Sequence, residues 1–283
     1  MIHRRNISLI SNLILEKTGK KVPDNIIERD YCISWFLFGL AQSEIRKNLV
    51  FKGGTALRRC HYEDYRFSED LDFSIKENIT FKEIQIKFEE IFKYIENESN
   101  IKFSFGTIEE PTRNTYTFYL NYIGPLPGNA RSAKIDITFN ELLLFPVLEK
   151  PIIKTYEHYS DFLIEPTIFV YSLEEITTEK VCTLTDKSRN EPRDLYDIYF
   201  LLTEKNIDLF GFIDKIKEKM AFKGDPFEAR IGQFDKKESR LKGSWETRLS
   251  EQMTSLPDFD TVFKLVKQKF TEAGLRIEDL VTS

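Results

Sequence analysis

Residues 49–75 constrain the fold more than any other stretch. Leu49-Val50-Phe51 is a short apolar run with the length of a buried strand, and it breaks into Lys52-Gly53-Gly54-Thr55. Gly-Gly after a strand lets backbone amides approach an anion with no side chain in the way. Ala56-Leu57-Arg58-Arg59 then reads as a helix that turns its N-terminus toward the same point. The turn is therefore a candidate phosphate cradle. Further on, Leu71, Phe73 and Ile75 alternate with Asp70, Asp72 and Ser74, the period of a strand with one polar face. Asp70 and Asp72 then share that face. Two hard oxygen ligands there suit Mg2+, which binds through one or two carboxylates plus substrate phosphates.

Holding two ions about 3.5–4 Å apart for in-line phosphoryl chemistry calls for a third carboxylate. Lys134-Ile135-Asp136-Ile137 offers one, because Asp136 interrupts an apolar strand and is costly there if buried without a cation. Each piece alone has a plainer reading. Gly-Gly-Thr is usually a turn, Asp-Leu-Asp is usually a solvated strand face, and Asp136 can pair with Lys134 or Arg131 on the surface. The combination, in this order, is far more specific.

The remaining elements read as follows. Ile26 to about Arg46 is apolar on most sides and predicts a buried helix opened by Pro23-Asp24-Asn25. Phe81–Glu96 has amphipathic helical spacing. Ile101–Ile108, Thr115–Ile123 and Ser132–Phe139 are strand-like, with Gly124–Asn129 as a hairpin connection. Helices are expected near 173–187, 193–204, 209–221 and 258–269, while residues 141–172 carry no clear period. The expected fold class is therefore α/β, or α+β: a domain with a mostly mixed or antiparallel sheet over residues 1–172, then an α-helical region over 173–283.

Composition narrows the function classes. Among 283 residues there are 24 Phe and 12 Tyr, so an aromatic-rich interior is expected. The longest apolar stretch falls short of the roughly eighteen residues a membrane span needs, and the N-terminus has no signal-peptide pattern; a cytoplasmic protein is expected. Three scattered cysteines exclude a disulfide scaffold or a cysteine-based zinc module, and three histidines have no metal-ligand spacing. A net charge of −5 gives no overall nucleic-acid signature. Lys215 to Arg248 nevertheless holds ten Lys/Arg against six Asp/Glu. That stretch is either a solvated helical surface or a basic flank for a polyanion, with Phe222, Phe227, Phe234 and Trp245 either core or stacking groups.

The order glycine cradle, Asp-x-Asp strand, later acidic strand resembles the polymerase-β-like nucleotidyltransferase superfamily. The version Lys52-Gly53-Gly54-Thr55-Ala56-Leu57 with Arg66-Phe67-Ser68-Glu69-Asp70-Leu71-Asp72-Phe73 resembles its AbiEii/AbiGii toxin branch, found in type IV toxin–antitoxin and abortive-infection systems. Two later blocks match that branch: Lys180, on a helix with Leu173, Ile176 and Leu184, and Arg193-Asp194-Leu195-Tyr196-Asp197. The segment Asn190-Glu191-Pro192 departs from the branch's usual basic residue, and the spacer His61–Tyr65 has no assigned role.

The resemblance implies a Mg2+-dependent transfer of NMP from NTP to RNA, at the tRNA 3′ end, blocking translation in bacterial antiviral defence. It implies two ions, with Mn2+ as the alternative metal, held by Asp70, Asp72 and Asp136. Lys52, Gly53, Gly54, Thr55, Arg66, Ser68, Lys180 and Arg193 become nucleotide-binding residues. Asp194 and Asp197 either orient Lys180 or contact the acceptor. A cognate antitoxin is the implied partner, and no membrane is. Two other functions remain open: a protein or small-molecule nucleotidyltransferase with the same palm, and a module that binds nucleotide or a partner without turnover.

Overall fold

A computed structural model of the chain describes residues 1–112 and 114–276. They form two compact units. The first contains Met1–Glu141, Val147–Tyr171 and Gln252–Thr254; the second contains Leu142–Pro146, Ser172–Glu251 and the chain from Ser255. The main boundary falls between Tyr171 and Ser172, and the two short exchanged segments are absent from a division into 1–172 and 173–283.

In the first unit, α1 (Arg4–Thr18) and α2 (Asp24–Gln42) precede β1 (Leu49–Lys52). A single α-turn, α3 (Gly53–Ala56), widens into a π-helical turn over Leu57–His61. Then come β2 (Leu71–Ile75), α4 (Phe81–Ser99), β3 (Lys102–Ile108), β4 (Thr115–Ile123) and β5 (Arg131–Thr138). Two short strands, β6 (Leu148–Pro151) and β7 (Thr167–Val170), complete a seven-stranded sheet of order β3-β4-β5-β2-β1-β7-β6. It is mixed: β2 runs parallel to β5 and β1 to β7, and the other pairs are antiparallel.

Alternation along the strands gives this sheet two unlike faces. Phe51, Leu71, Phe73, Phe118, Leu120, Ile135 and Ile137 are buried on one of them. Helix α2, buried from Ile26 to Ala41 except at the half-buried Arg29, and the amphipathic α4 belong to the same core. Phe36 of α2 meets Phe88 of α4 at 5.2 Å between ring centres, and Phe88 meets Phe118 of β4 at 5.7 Å. Helix α4 starts at a capping box, Thr80 with Glu83, and stops at Asn100 in the left-handed conformation. The unassigned stretch 141–172 holds β6 and β7, four residues each, too short to show a period. Helix α1 was not legible either, because Leu9, Leu13 and Leu15 are exposed while Ile7 and Ile10 are buried.

The second unit is helical: α5 (Leu173–Thr185), α6 (Pro192–Tyr199) with a π-helical continuation over Phe200–Glu204, α7 (Ile213–Phe222), α8 (Phe227–Arg230), α9 (Glu238–Leu249) and α10 (Phe259–Glu272). A buried pair accounts for the exchange of 142–146 into this unit. Lys219 of α7 bonds the Glu175 carboxylate of α5 and donates to the Leu142 carbonyl at 3.0 Å. The same carboxylate accepts from the amides of Leu144 and Phe145, both at 2.8 Å. Among the described residues no helix is long and apolar enough to cross a membrane, and the three cysteines are buried and free.

In the first unit a buried charge cluster ties α2 to the turn after the glycines. Asp30 accepts from Arg58 Nε at 2.9 Å and from the Tyr159 hydroxyl at 3.0 Å, and it pairs with Arg59. Burial alone raises the Asp30 pKa, but the two guanidinium groups outweigh it and hold the carboxyl below its ordinary value. Asp30→Ala strands two buried guanidinium groups and is expected to cost about 3–5 kcal/mol in a denaturant melt. The lowered pKa means that Asp30 stabilises the fold above about pH 4 and loses that contribution as pH falls through the folded value. The variant's stability should therefore fall less steeply with acid than the wild type's.

Candidate active site

One row of residues crosses the sheet on its polar face. Lys52 of β1 is the register partner of Asp72 of β2, Asp72 of Asp136 of β5, and Asp136 of Thr117 of β4. Register partners point to the same side of a sheet, so the third carboxylate lies directly across from Asp72. The neighbouring rows, Phe51–Phe73–Ile137 and Leu71–Ile135–Phe118, face the core.

The glycines close against this row. Gly53 has φ +78°, and a Cβ built on it falls 2.5 Å from Asp72 Oδ2. Gly54 lies against Arg66 and Ser68: its Cβ would fall 2.6 Å from Arg66 Nη2 and 3.3 Å from Ser68 Oγ. Both positions need glycine, one for its conformation and both for space. Thr55 donates its hydroxyl to the Asp70 carbonyl, which pins the start of α3 to the residue just before β2. Asp70 therefore sits at the mouth of the strand rather than within it.

Arg66 is buried and fixed by Gln252, whose side-chain oxygen accepts from Nη1 at 2.9 Å and whose carbonyl accepts from the Phe67 amide at 2.7 Å. Lys52 is also buried, with Nζ 3.7 Å from the Glu141 carboxylate and 5.7 Å from the Tyr171 ring centre. Neither Gln252 nor Glu141 was visible in the sequence, since each is remote from the motif it supports.

Asp136 has a bond on each oxygen. Thr117 Oγ1 donates to Oδ1 at 2.6 Å and Lys134 Nζ to Oδ2 at 2.7 Å. Burial lowers the Lys134 pKa, but the hydrogen bond and charge of Asp136 and the charge of Asp70 outweigh it and hold the ammonium above its ordinary value. Asp70 and Asp72, beside a cradle that a Cβ would fill, fit a hard divalent cation completed by phosphate oxygens. Asp136 accepts one hydrogen bond on each oxygen, which leaves a lone pair on each. Among the described residues no group of three or more His, Cys, Asp or Glu side chains is placed to hold a metal ion.

In the second unit, Lys180 of α5 is bonded by both aspartates of α6, Asp194 Oδ1 at 2.6 Å and Asp197 Oδ2 at 2.7 Å. Pro192 at the first turn and the three-residue spacing put these two carboxylates on one helix face. Arg189 Nε reaches the other Asp194 oxygen at 2.7 Å. Burial raises the Asp194 pKa, but Lys180 and Arg189 outweigh it and hold it below the ordinary value. Arg193 bonds Glu191, with Nε 3.1 Å from the carboxylate. The basic stretch divides. Lys219, Arg230 and Lys237 are buried and bonded within the unit, and Phe234 and Trp245 are core residues. Phe222 is exposed, and Phe227 lies under the Lys217 ammonium. The excess of charge there is therefore partly structural.

The sequence matches the family described as "Nucleotidyl transferase AbiEii toxin, Type IV TA system" over residues 35–265. The chain belongs to the AbiEii nucleotidyltransferase toxin family. Two solved structures share the AbiEii chain's fold. JHP933 from Helicobacter pylori aligns with a TM-score of 0.56 at 16% identity, over 90% of this chain and 95% of its own. MenT4, a nucleotidyltransferase toxin from Mycobacterium tuberculosis H37Rv, aligns with a TM-score of 0.54 at 17% identity, over 93% and 98%. No curated protein matches the sequence significantly. As a member of the AbiEii family the chain is a nucleotidyltransferase toxin of a toxin–antitoxin system, which implies an NTP substrate and an antitoxin partner.

Gly53→Ala tests the cradle. The added methyl strains a left-handed residue and collides with Asp72, for an expected loss of about 1–3 kcal/mol in a thermal melt. The displaced carboxylate should lower nucleotidyl transfer by about a hundredfold.

Proposed function

We propose that this toxin transfers an NMP unit from an NTP to the 3′ end of an RNA, a tRNA acceptor end, and so blocks translation. The observation that carries the reading is the approach of Gly53 and Gly54 to Asp72, Arg66 and Ser68, which leaves a side-chain-free turn beside an acidic strand. Backbone N–H groups there can donate to phosphate oxygens without obstruction. Asp70 and Asp72 would hold Mg2+, which would neutralise triphosphate charge and orient the α-phosphorus for in-line attack.

The chain's own residues bind and orient. Arg66, fixed by Gln252, adds a guanidinium to the cradle. The acceptor hydroxyl oxygen bonds to the α-phosphorus as its proton passes to solvent water, the bond from the α-phosphorus to the α,β-bridging oxygen breaks, and pyrophosphate leaves. For Lys180 the family resemblance implies contact with nucleotide phosphates, and Asp194 and Asp197, both bonded to its ammonium, would orient it. A protein hydroxyl is the alternative acceptor for the same palm.

The test incubates purified protein with Mg2+, each α-labelled NTP separately, and total bacterial tRNA, and resolves RNA and protein on a denaturing gel. Label on tRNA is expected, lost when EDTA is added and lost in Asp70→Ala. Label on protein would transfer the reading to protein nucleotidylation, and label on neither would overturn the acceptor assignment. Lys180→Met, paired with Asp197→Asn to remove the stranded charge, should lower transfer by orders of magnitude.

A further inference from the structure

The joint between α5 and α6, Asp186-Lys187-Ser188-Arg189-Asn190-Glu191, is polar throughout and has no apolar residue to anchor it. Yet Lys180 of α5 meets Asp194 and Asp197 of α6 only if this joint sets the two helices in one relation. Part of the hold is local: Asp186 Oδ1 accepts from the Ser188 amide at 2.8 Å and from the Ser188 hydroxyl at 2.6 Å. The rest comes from far along the chain. Lys237, buried at the turn before α9, donates to the carbonyls of Asp186 and Arg189, the latter at 2.6 Å. One ammonium, with three donors to give, thus pinches the joint at two points. Arg230 of α8, also buried, donates to the Cys182 carbonyl in the last turn of α5 at 2.5 Å, where a cation offsets the negative end of the helix. Arg189, its carbonyl pinned by Lys237, reaches Asp194 with Nε at 2.7 Å. All of these residues belong to the second unit.

We infer that Lys237 is a positioning residue for nucleotide binding: by pinning the α5–α6 joint it holds Lys180 against Asp194 and Asp197, in the orientation from which the Lys180 ammonium contacts the phosphates of an NTP. The inference rests on the phosphate contact given to Lys180 above and extends it to a residue that acts through Lys180. Lys237 is thus a cation of the basic stretch that serves the reaction from inside the helical unit. Without its ammonium the two carbonyls turn to water and the joint loosens. The helices themselves persist, since each keeps its own apolar face: Ile176, Val181 and Leu184 in α5, Leu195 and Ile198 in α6. The effect falls on the direction of Lys180. A lysine that only stabilised the helical unit would change how much of the protein binds nucleotide, not how tightly, and that separates the two roles.

The test is a double-mutant cycle read in affinity. Full-length protein is titrated in Mg2+ with a fluorescent NTP analogue that has a non-hydrolysable α,β bridge, and the dissociation constant and the number of sites are read separately. Lys237→Met should weaken binding about tenfold with the number of sites unchanged. Lys237→Gln, which keeps an N–H donor, should weaken it less, and it guards against a folding defect in the first variant. In a background that already carries Lys180→Met with Asp197→Asn, adding Lys237→Met should shift affinity by less than about twofold, because the residue it acts through is gone. The same tenfold loss in both backgrounds would overturn the inference, as would fewer sites at unchanged affinity or no change at all. In each of those cases a weakened Lys180→Met/Asp197→Asn background would leave the phosphate contact of Lys180 standing. A background that binds the analogue as tightly as the wild type would overturn that contact and the inference together.

Discussion

A row of charge can cross a β-sheet only if the opposite face buries enough apolar surface to hold the strands in one register. A one-residue slip would send Asp72 into the core and Phe73 into water. In this protein Phe51, Leu71, Phe73, Ile135, Ile137 and Phe118 supply that face, against α2 and α4. Their packing is what aligns Lys52, Asp72, Asp136 and Thr117 side by side. The site is thus the polar consequence of an apolar register. The two glycines extend it, because no other residue fits both the backbone conformation at Gly53 and the space beside Asp72.

Buried ion clusters fix the elements that carry functional side chains. Asp30 anchors the turn behind the cradle through Arg58 and Arg59. Glu175 and Lys219 secure residues 142–146 within the helical unit. Asp194 and Asp197 grip Lys180. Such pairs contribute little net stability against well-packed apolar substitutes, because desolvation offsets their attraction. Their value is positional: breaking any of them leaves an uncompensated buried charge, so the arrangement has few low-energy alternatives.

Much of the fold was legible because it repeats at short range. Strand alternation in 70–75 and 132–139, the helical spacing of 81–96 and the turn at 124–129 all lie within a few residues of sequence. The four-residue strands β6 and β7 were not legible, since their pairing is set by β1 and not by their own pattern. In the site, the glycines and the acidic strand were visible as motifs. The pairing of Lys134 with Asp136 was legible as well, because the two residues stand two apart on one strand face. Glu141 and Gln252 lie far from Lys52 and Arg66 in sequence and meet them only through the fold. The aromatics Phe234 and Trp245, which looked equally suited to stacking and to packing, are core because α10 covers them with Phe259, Phe263 and Phe270.

The central claim is that nucleotide and metal meet at the Gly53–Gly54 turn beside Asp70 and Asp72. Anomalous diffraction at the manganese edge, from crystals grown with Mn2+ and a non-hydrolysable NTP, tests it most directly. The account predicts an anomalous peak contacting both Asp70 and Asp72, with the triphosphate against the amides of Gly53 and Gly54. A bound nucleotide whose phosphates and metal lie away from this turn would contradict it.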